Sequence, residues 1–197
     1  MSDYTLKNLV WLRNRLFEII KEKSLFFGDF TLSSGLKSGH YFDLKRTTLD
    51  PEGAAIIAKI FLDFHKGVDY LAVGGSTLGA DPIVGSLMAV SHLQNEPKQG
   101  FIVRKATKNH GTKNLIEGGL KNEAGVILVD DVITTGKAIF EAAAAVSSNG
   151  NPINGFFAII NRTSKETGTI SFQGADYPVR YIFSERDFLV NTDIIDS

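Results

Sequence analysis

The stretch Val126-Ile127-Leu128-Val129-Asp130-Asp131-Val132-Ile133-Thr134-Thr135-Gly136-Lys137-Ala138 decides the fold. Apolar Val126 to Val129 leads into two carboxylates, then into a hydroxyl-rich turn closed by glycine. An alanine-rich segment follows, from Ala138 to Val146. This reads as a buried strand, a polar turn and a helix in immediate succession. The turn then lies at the carboxyl end of a parallel strand, where α/β sheets bind their ligands. It also exposes free N–H groups at a helix N-terminus, a ready anion site. If the strand continues through the acids, Asp130 and Asp131 point to different sides. One carboxylate can then accept hydrogen bonds from vicinal sugar hydroxyls while the other lies near the sugar's reactive face. Thr134, Thr135 and Gly136 offer hydroxyls and N–H groups in a tight curve, and glycine lets the backbone approach a phosphate closely. The whole describes a ribose 5-phosphate cradle. The blander reading is an ordinary strand-to-helix turn capped by Thr135, which has no use for two acids at the end of an apolar strand. The Walker pattern does not apply, because this loop lacks its first glycine.

Outward from this block, strands and helices alternate. Residues 5–23 carry apolar side chains at helical spacing, among them Leu9, Leu16 and Ile20. Asp50-Pro51-Glu52 signals a helix start, an N-cap followed by proline and an acid, and the helix runs to about His65. Tyr70–Val73 predicts a strand, Pro82–Leu93 a helix, Phe101–Val103 a strand, Ala138–Ser148 a helix and Phe156–Ile160 a strand. That order predicts an α/β fold with a central, mainly parallel sheet flanked by helices. Ile170–Phe172 and Val179–Phe183 predict shorter strands near the end. The region from Phe26 to Leu44 stands outside the alternation and suits a small subdomain covering the site. With 197 residues, 43% hydrophobic and 22% charged, one domain (1–197) with a substantial core is expected. A net charge of −1 argues against a general nucleic-acid binder. With no cysteine, disulfides, thiolate catalysis and cysteine-ligated zinc are excluded. Met1 to Tyr4 is too polar to begin a signal peptide, and no apolar run is long enough to span a membrane. A cytoplasmic location is therefore expected, with no membrane partner.

The acid-pair block resembles the phosphoribosyl-diphosphate (PRPP) signature of the type I phosphoribosyltransferases. That resemblance implies their fold, with a small N-terminal hood at about 24–45, and PRPP binding by Asp130, Asp131, Val132, Ile133, Thr134, Thr135, Gly136, Lys137 and Ala138. A second block, Arg104-Lys105-Ala106-Thr107-Lys108-Asn109-His110-Gly111, opens a long loop of roughly Ala106 to Glu117. Long loops in compact domains are usually functional or disordered. A cationic loop of this kind could close over a diphosphate, neutralise it as it leaves and exclude water. A solvated charged loop is the alternative. The block resembles the Arg-Lys-x-x-Lys-x-His-Gly loop of the orotate branch. This implies that Arg104, Lys105, Lys108 and His110 bind PRPP, that Lys108, His110 and Asp131 are catalytic, and that loop residues are shared across a homodimer.

Three further segments extend the resemblance. Gly74-Gly75-Ser76-Thr77-Leu78-Gly79-Ala80-Asp81-Pro82 is similar to the diphosphate loop and implies that Thr77 touches PRPP; packing alone would also explain its glycines. Phe30-Thr31-Leu32-Ser33-Ser34-Gly35 through Asp43 resembles the base-binding segment and implies that Tyr41 and Phe42 meet orotate, although simple core packing would explain them too. Many members carry lysine where this chain has Ser33 and Leu78. Arg162 follows a strand and could pair bidentately with a carboxylate. The resemblance assigns it, with Thr134, to orotate; a surface arginine is the alternative. The implied reaction transfers the 5-phosphoribosyl group from PRPP to orotate. Mg²⁺ is the implied cofactor, held mainly through PRPP and water rather than by a protein cage. A phosphoribosyltransferase for uracil or a purine stays open, as does a non-catalytic PRPP-sensing regulator. Residues after Thr163 suggest no functional role.

Overall fold

The computed structural model describes residues 8–31, 37–105, 115–163 and 168–189. The chain opens with helix α1 (Leu9–Lys23), where the Asn8 side chain accepts from Trp11 N. Strands β1 (Leu25–Thr31) and β2 (Lys37–Phe42) pair antiparallel as a separate two-stranded sheet. Their register shifts between Phe27 and Phe30, around Gly28 at φ 150°. The pair falls within the segment that stood outside the alternation, and the interruption explains why no clean period marks it in the sequence.

After the short helix α2 (Lys45–Thr48), α3 (Pro51–Phe64) starts as expected. Asp50 Oδ1 accepts from Glu52 N and Gly53 N, and its carboxylate also meets the Lys23 ammonium. Hydrogen bonding to Lys23 and to the helix amides holds the Asp50 carboxyl below the ordinary aspartate value. There follow β3 (Ala72–Ser76), α4 (Asp81–Leu93), β4 (Gln99–Val103), β5 (Ile116–Glu117), β6 (Val126–Ile133), α5 (Lys137–Ser148), β7 (Ile153–Asn161), β8 (Thr169–Phe172), β9 (Ala175–Ser184) and α6 (Arg186–Leu189).

The main sheet has seven strands in the order β5-β4-β3-β6-β7-β9-β8. All neighbours from β4 to β9 pair parallel, and β5 and β8 add antiparallel edges. Its two faces obey the period of two. Val73, Ile127, Val129, Phe157 and Ile159 pack with α1, α3 and α4. Ala72, Val126, Leu128, Phe156 and Ala158 pack with α5 residues Ile139, Ala142, Ala143 and Val146. Both faces are covered, which is why the central strands read as continuous apolar runs.

Four boundaries differ from the sequence reading. Strand β3 begins at Ala72 and includes Gly74 and Gly75, because a Cβ at Gly74 would strike the Phe101 ring and one at Gly75 would strike Val129 O. Strand β6 continues through both acids to Ile133. Ile116 and Glu117 leave the expected loop to pair with β4, and Arg104 N donates to Leu115 O at 2.9 Å. Strand β9 is ten residues long rather than short, because Pro178 lies inside it, at the outer end of its pairing with β8.

Candidate active site

The carboxyl ends of β3, β6 and β7 form one rim. Asp130 and Asp131 stand near the end of β6, Asp130 buried and Asp131 half-buried. Asp130 Oδ1 accepts from Asp131 N at 3.0 Å, and Asp131 Oδ1 accepts from Val132 N at 2.8 Å. The two carboxylates do not diverge fully. A Cβ built on Gly79 would lie 2.6 Å from Asp130 Oδ1 and 2.9 Å from Asp131 Oδ1. Both acids thus converge beneath the β3–α4 loop, which can lie over them only because residue 79 has no side chain. Burial, then the neighbouring Asp131 charge, pushes the Asp130 carboxyl up to about 8. Burial and the neighbouring carboxylate thus both favour a neutral Asp130 side chain over a charged one.

The turn after the acids leads into a helix N-terminus without a side-chain cap. Gly136, at φ 77°, is the N-cap of α5, and no side chain caps that helix. Thr135 Oγ1 lies 3.4 Å from Lys137 N, a long contact rather than a cap. The bland reading, a turn closed by Thr135, is therefore not what forms. Thr134, Thr135, Lys137 and Ala138 are exposed, Val132 is half-buried, and Ile133 and Gly136 are buried. Lys137 stands in a helical first turn with no acidic residue, where a cation is unfavourable unless an anion joins it.

On the neighbouring β3–α4 loop, Thr77 Oγ1 donates to Asp81 Oδ2 at 2.7 Å. The Thr77–Leu78 peptide is cis, and Leu78 is exposed. Arg104 is half-buried and pairs with Glu117 at 3.3 Å, while Lys105 is exposed and near enough to Asp130 to favour its charged form. A cavity of about 520 Å³ includes Arg104, Lys105 and Ser76 and extends along α5, away from the acid pair. Lys108, His110 and Ser33 lie outside the described residues.

Arg162 follows β7, and its N–H donates to Ile133 O at 2.8 Å, so its backbone is fixed to the acid-pair strand. Its side chain is not at the surface, being 11% exposed, and Nη2 lies 2.6 Å from Glu185 Oε1. Cζ lies 5.9 Å from the Phe42 ring centre. The expected aromatic pair divides. Phe42 is buried against Phe188, with ring centres 5.3 Å apart, and Tyr41 on the other side of β2 is exposed beside Phe30. Core packing thus accounts for Phe42, although its ring also borders Arg162. Glu185 is the residue the sequence reading missed. Its N–H donates to Asn161 O at 3.0 Å, and Oε1 also lies 2.6 Å from His40 Nε2.

Among the described residues no group of acidic or imidazole side chains is gathered as a metal cage, and no helix is long and apolar enough to cross a membrane.

Known proteins resemble the chain along nearly its whole length. A curated orotate phosphoribosyltransferase of Rhodopseudomonas palustris (strain TIE-1) is 40% identical over 183 residues, spanning 90% of this chain and 96% of that enzyme. The crystal structure of Mycobacterium tuberculosis H37Rv orotate phosphoribosyltransferase in complex with Fe(III) dicitrate matches with a TM-score of 0.76 and 34% identity, covering 90% of this chain and 98% of that one. The crystal structure of the same enzyme in complex with PRPP matches with a TM-score of 0.71 and 27% identity, covering 93% and 94%. No family model matches the chain.

Proposed function

The chain belongs to the orotate phosphoribosyltransferases, and from that premise we propose how its residues transfer the 5-phosphoribosyl group from PRPP to orotate, giving orotidine 5′-monophosphate and diphosphate. The reaction is a pentosyl transfer in pyrimidine nucleotide synthesis. The observation that carries the residue assignment is the rim itself: the acid pair, an uncapped helix N-terminus and an arginine tied to Ile133 O occupy adjoining strand ends.

The ribose hydroxyls meet Asp130 and Asp131. The Asp130 and Asp131 carboxyl groups accept from those hydroxyls, and the pair lies nearest the positive charge that develops on the ring. The 5-phosphate occupies the turn Thr134 to Ala138, against the free amides of α5 and the Lys137 ammonium. That grip lies remote from the reacting carbon, so it serves orientation. The N1 nitrogen of orotate forms the new bond to the anomeric carbon as the bond to diphosphate breaks, and the N1 proton passes to the departing diphosphate. Arg104, Lys105, Lys108 and His110 receive the leaving charge, Thr77 lines the diphosphate side, and Arg162 with Thr134 pairs the orotate carboxylate. Phe42 lies beside that arginine, and Tyr41 is exposed on the opposite side of β2, so a contact with the orotate ring would come from the other face of that strand. Bound together with PRPP, Mg²⁺ would supply neutralisation of the diphosphate charge, with Asp130 and Asp131 as the nearest protein carboxyl groups. Two convergent carboxylates without a fuller cage suit an ion that keeps its waters and binds through phosphates.

We place the whole chain in one domain, with about 24–45 as the hood, working as a homodimer in the cytoplasm, with no nucleic-acid partner. Loss of orotate absorbance on adding PRPP and Mg²⁺, with uracil, hypoxanthine and xanthine as controls, tests the reaction. Turnover of a control base in place of orotate would overturn the substrate assignment. PRPP binding without turnover would favour a regulator.

A further inference from the structure

Strand β9 lies parallel to β7, with Ser184 opposite Asn161. The residue after each strand therefore meets the residue after the other, which brings Glu185 to Arg162. The backbone tie from Glu185 N to Asn161 O fixes that meeting at 3.0 Å. One carboxylate oxygen, Oε1, then receives two nitrogens, Arg162 Nη2 at 2.6 Å and His40 Nε2 at 2.6 Å. The three side chains are 11%, 15% and 25% exposed for Arg162, His40 and Glu185. They link three separate elements: the hood strand β2, the exit of β7 and the exit of β9. The Phe42 ring borders the same guanidinium. Among the described residues Arg162 Nε and Nη1 take no side-chain or backbone partner, so part of the guanidinium is tied while the rest keeps donors to offer.

A long arginine side chain loses considerable rotamer freedom when it binds a ligand. A guanidinium held beforehand has already lost it, and a carboxylate then meets a fork in place. We propose that Glu185 is a positioning residue of this enzyme: it clamps Arg162 so that the free donors stay presented to the substrate carboxylate, and through His40 it locks the hood strand to the same arginine. This rests on the assignment of Arg162 to orotate. The opposing physical possibility is that the Glu185 carboxylate competes with orotate for Arg162 and weakens binding. The two predict opposite signs when Glu185 is removed.

Steady-state kinetics on purified full-length enzyme, with thermal unfolding of every variant, decides between them. E185A is expected to raise KM for orotate about tenfold, equivalent to one charge-assisted contact, with KM for PRPP and kcat within about twofold. E185Q keeps an oxygen that accepts from Nη2 and Nε2, and is expected to recover most of that loss. R162A is expected to raise orotate KM further, and adding E185A to R162A should change it by less than about twofold, because Glu185 acts through the arginine. An unchanged or lowered orotate KM in E185A overturns the proposal, as does the same tenfold rise in the R162A background. If E185A does not fold, E185D takes its place: it keeps the charge but withdraws the carboxylate by one methylene, and an unchanged orotate KM overturns the proposal equally. An R162A enzyme with normal orotate KM would instead sink the assignment of Arg162 itself, leaving any Glu185 effect to be read separately.

Discussion

Replacing Asp130 by asparagine tests the electrostatics of the proposed ribose site. The carboxyl is buried, beside Asp131, and pushed from 3.8 to about 8. Its folded value is raised above its unfolded value, so the folded chain holds a proton that the unfolded chain releases. The stability this supplies is complete below about pH 4 and is lost as pH rises through the folded value near 8. Between those limits one proton separates the two states, and stability falls by up to about 1.36 kcal/mol per pH unit. Four units give an upper bound of about 5 kcal/mol. Relaxation around a buried acid and partial sharing of charge with Asp131 reduce this, and about 2–3 kcal/mol is the working expectation.

Asparagine has nearly the shape of neutral aspartic acid and cannot ionise, so D130N should gain on wild type as pH rises. His65 acts in part of the same window with the opposite sign. Burial lowers its imidazole to about 4, and its ring N–H donates to Phe61 O. It therefore adds stability as pH rises from about 4 to 6.5, partly masking Asp130 in wild type alone. The difference between D130N and wild type removes that overlap. Urea unfolding followed by Trp11, the single tryptophan, should give a difference that grows from pH 5 to pH 8 and levels off above it. A flat difference across that range would refute the raised Asp130 carboxyl.

Gly79→Ala would press a methyl against both site carboxylates; turnover should fall by about 100-fold or more, since small misplacements cost that much, with melting temperature nearly unchanged. Asp50→Ala removes the α3 N-cap and should destabilise by about 1–2 kcal/mol in urea unfolding. Because the Asp50 carboxyl is held low by Lys23 and the helix amides, its contribution is present above about pH 4 and lost as pH falls through the lowered value, so the gap to wild type should close in acid. Lys108→Ala should cut kcat far more than it weakens nucleotide binding; unchanged turnover would remove Lys108 from the leaving-group role.

What could be read in the sequence follows from how local each signal is. The acid pair, its turn and α5 are contiguous, and the apolar run, the glycine and the alanine-rich helix each follow from chemistry within a few residues. The same is true of α3, whose Asp50-Pro51 start appears as expected. The misplacements arise where a distant strand overrides a local preference. Gly74 and Gly75 weaken a strand in isolation, yet Phe101 and Val129 crowd them from both sides, so the only residues that fit β3 are the ones that look like its end. Pro178 reads as a strand boundary for the same local reason. Glu185 had no local signal at all: its partner is twenty-odd positions upstream, and only the parallel register of β7 and β9 makes them neighbours. Arg162 could be seen because it closes an apolar strand. The carboxylate that orients it could not, because pairing across a parallel sheet leaves no trace in sequence spacing. The acid pair and Arg162 stand at strand ends inside readable motifs, whereas the carboxylate proposed to aim Arg162 arrives from the next strand over. A reading confined to motifs will therefore recover chemistry before geometry, and the E185A–R162A cycle measures the part that only the register reveals.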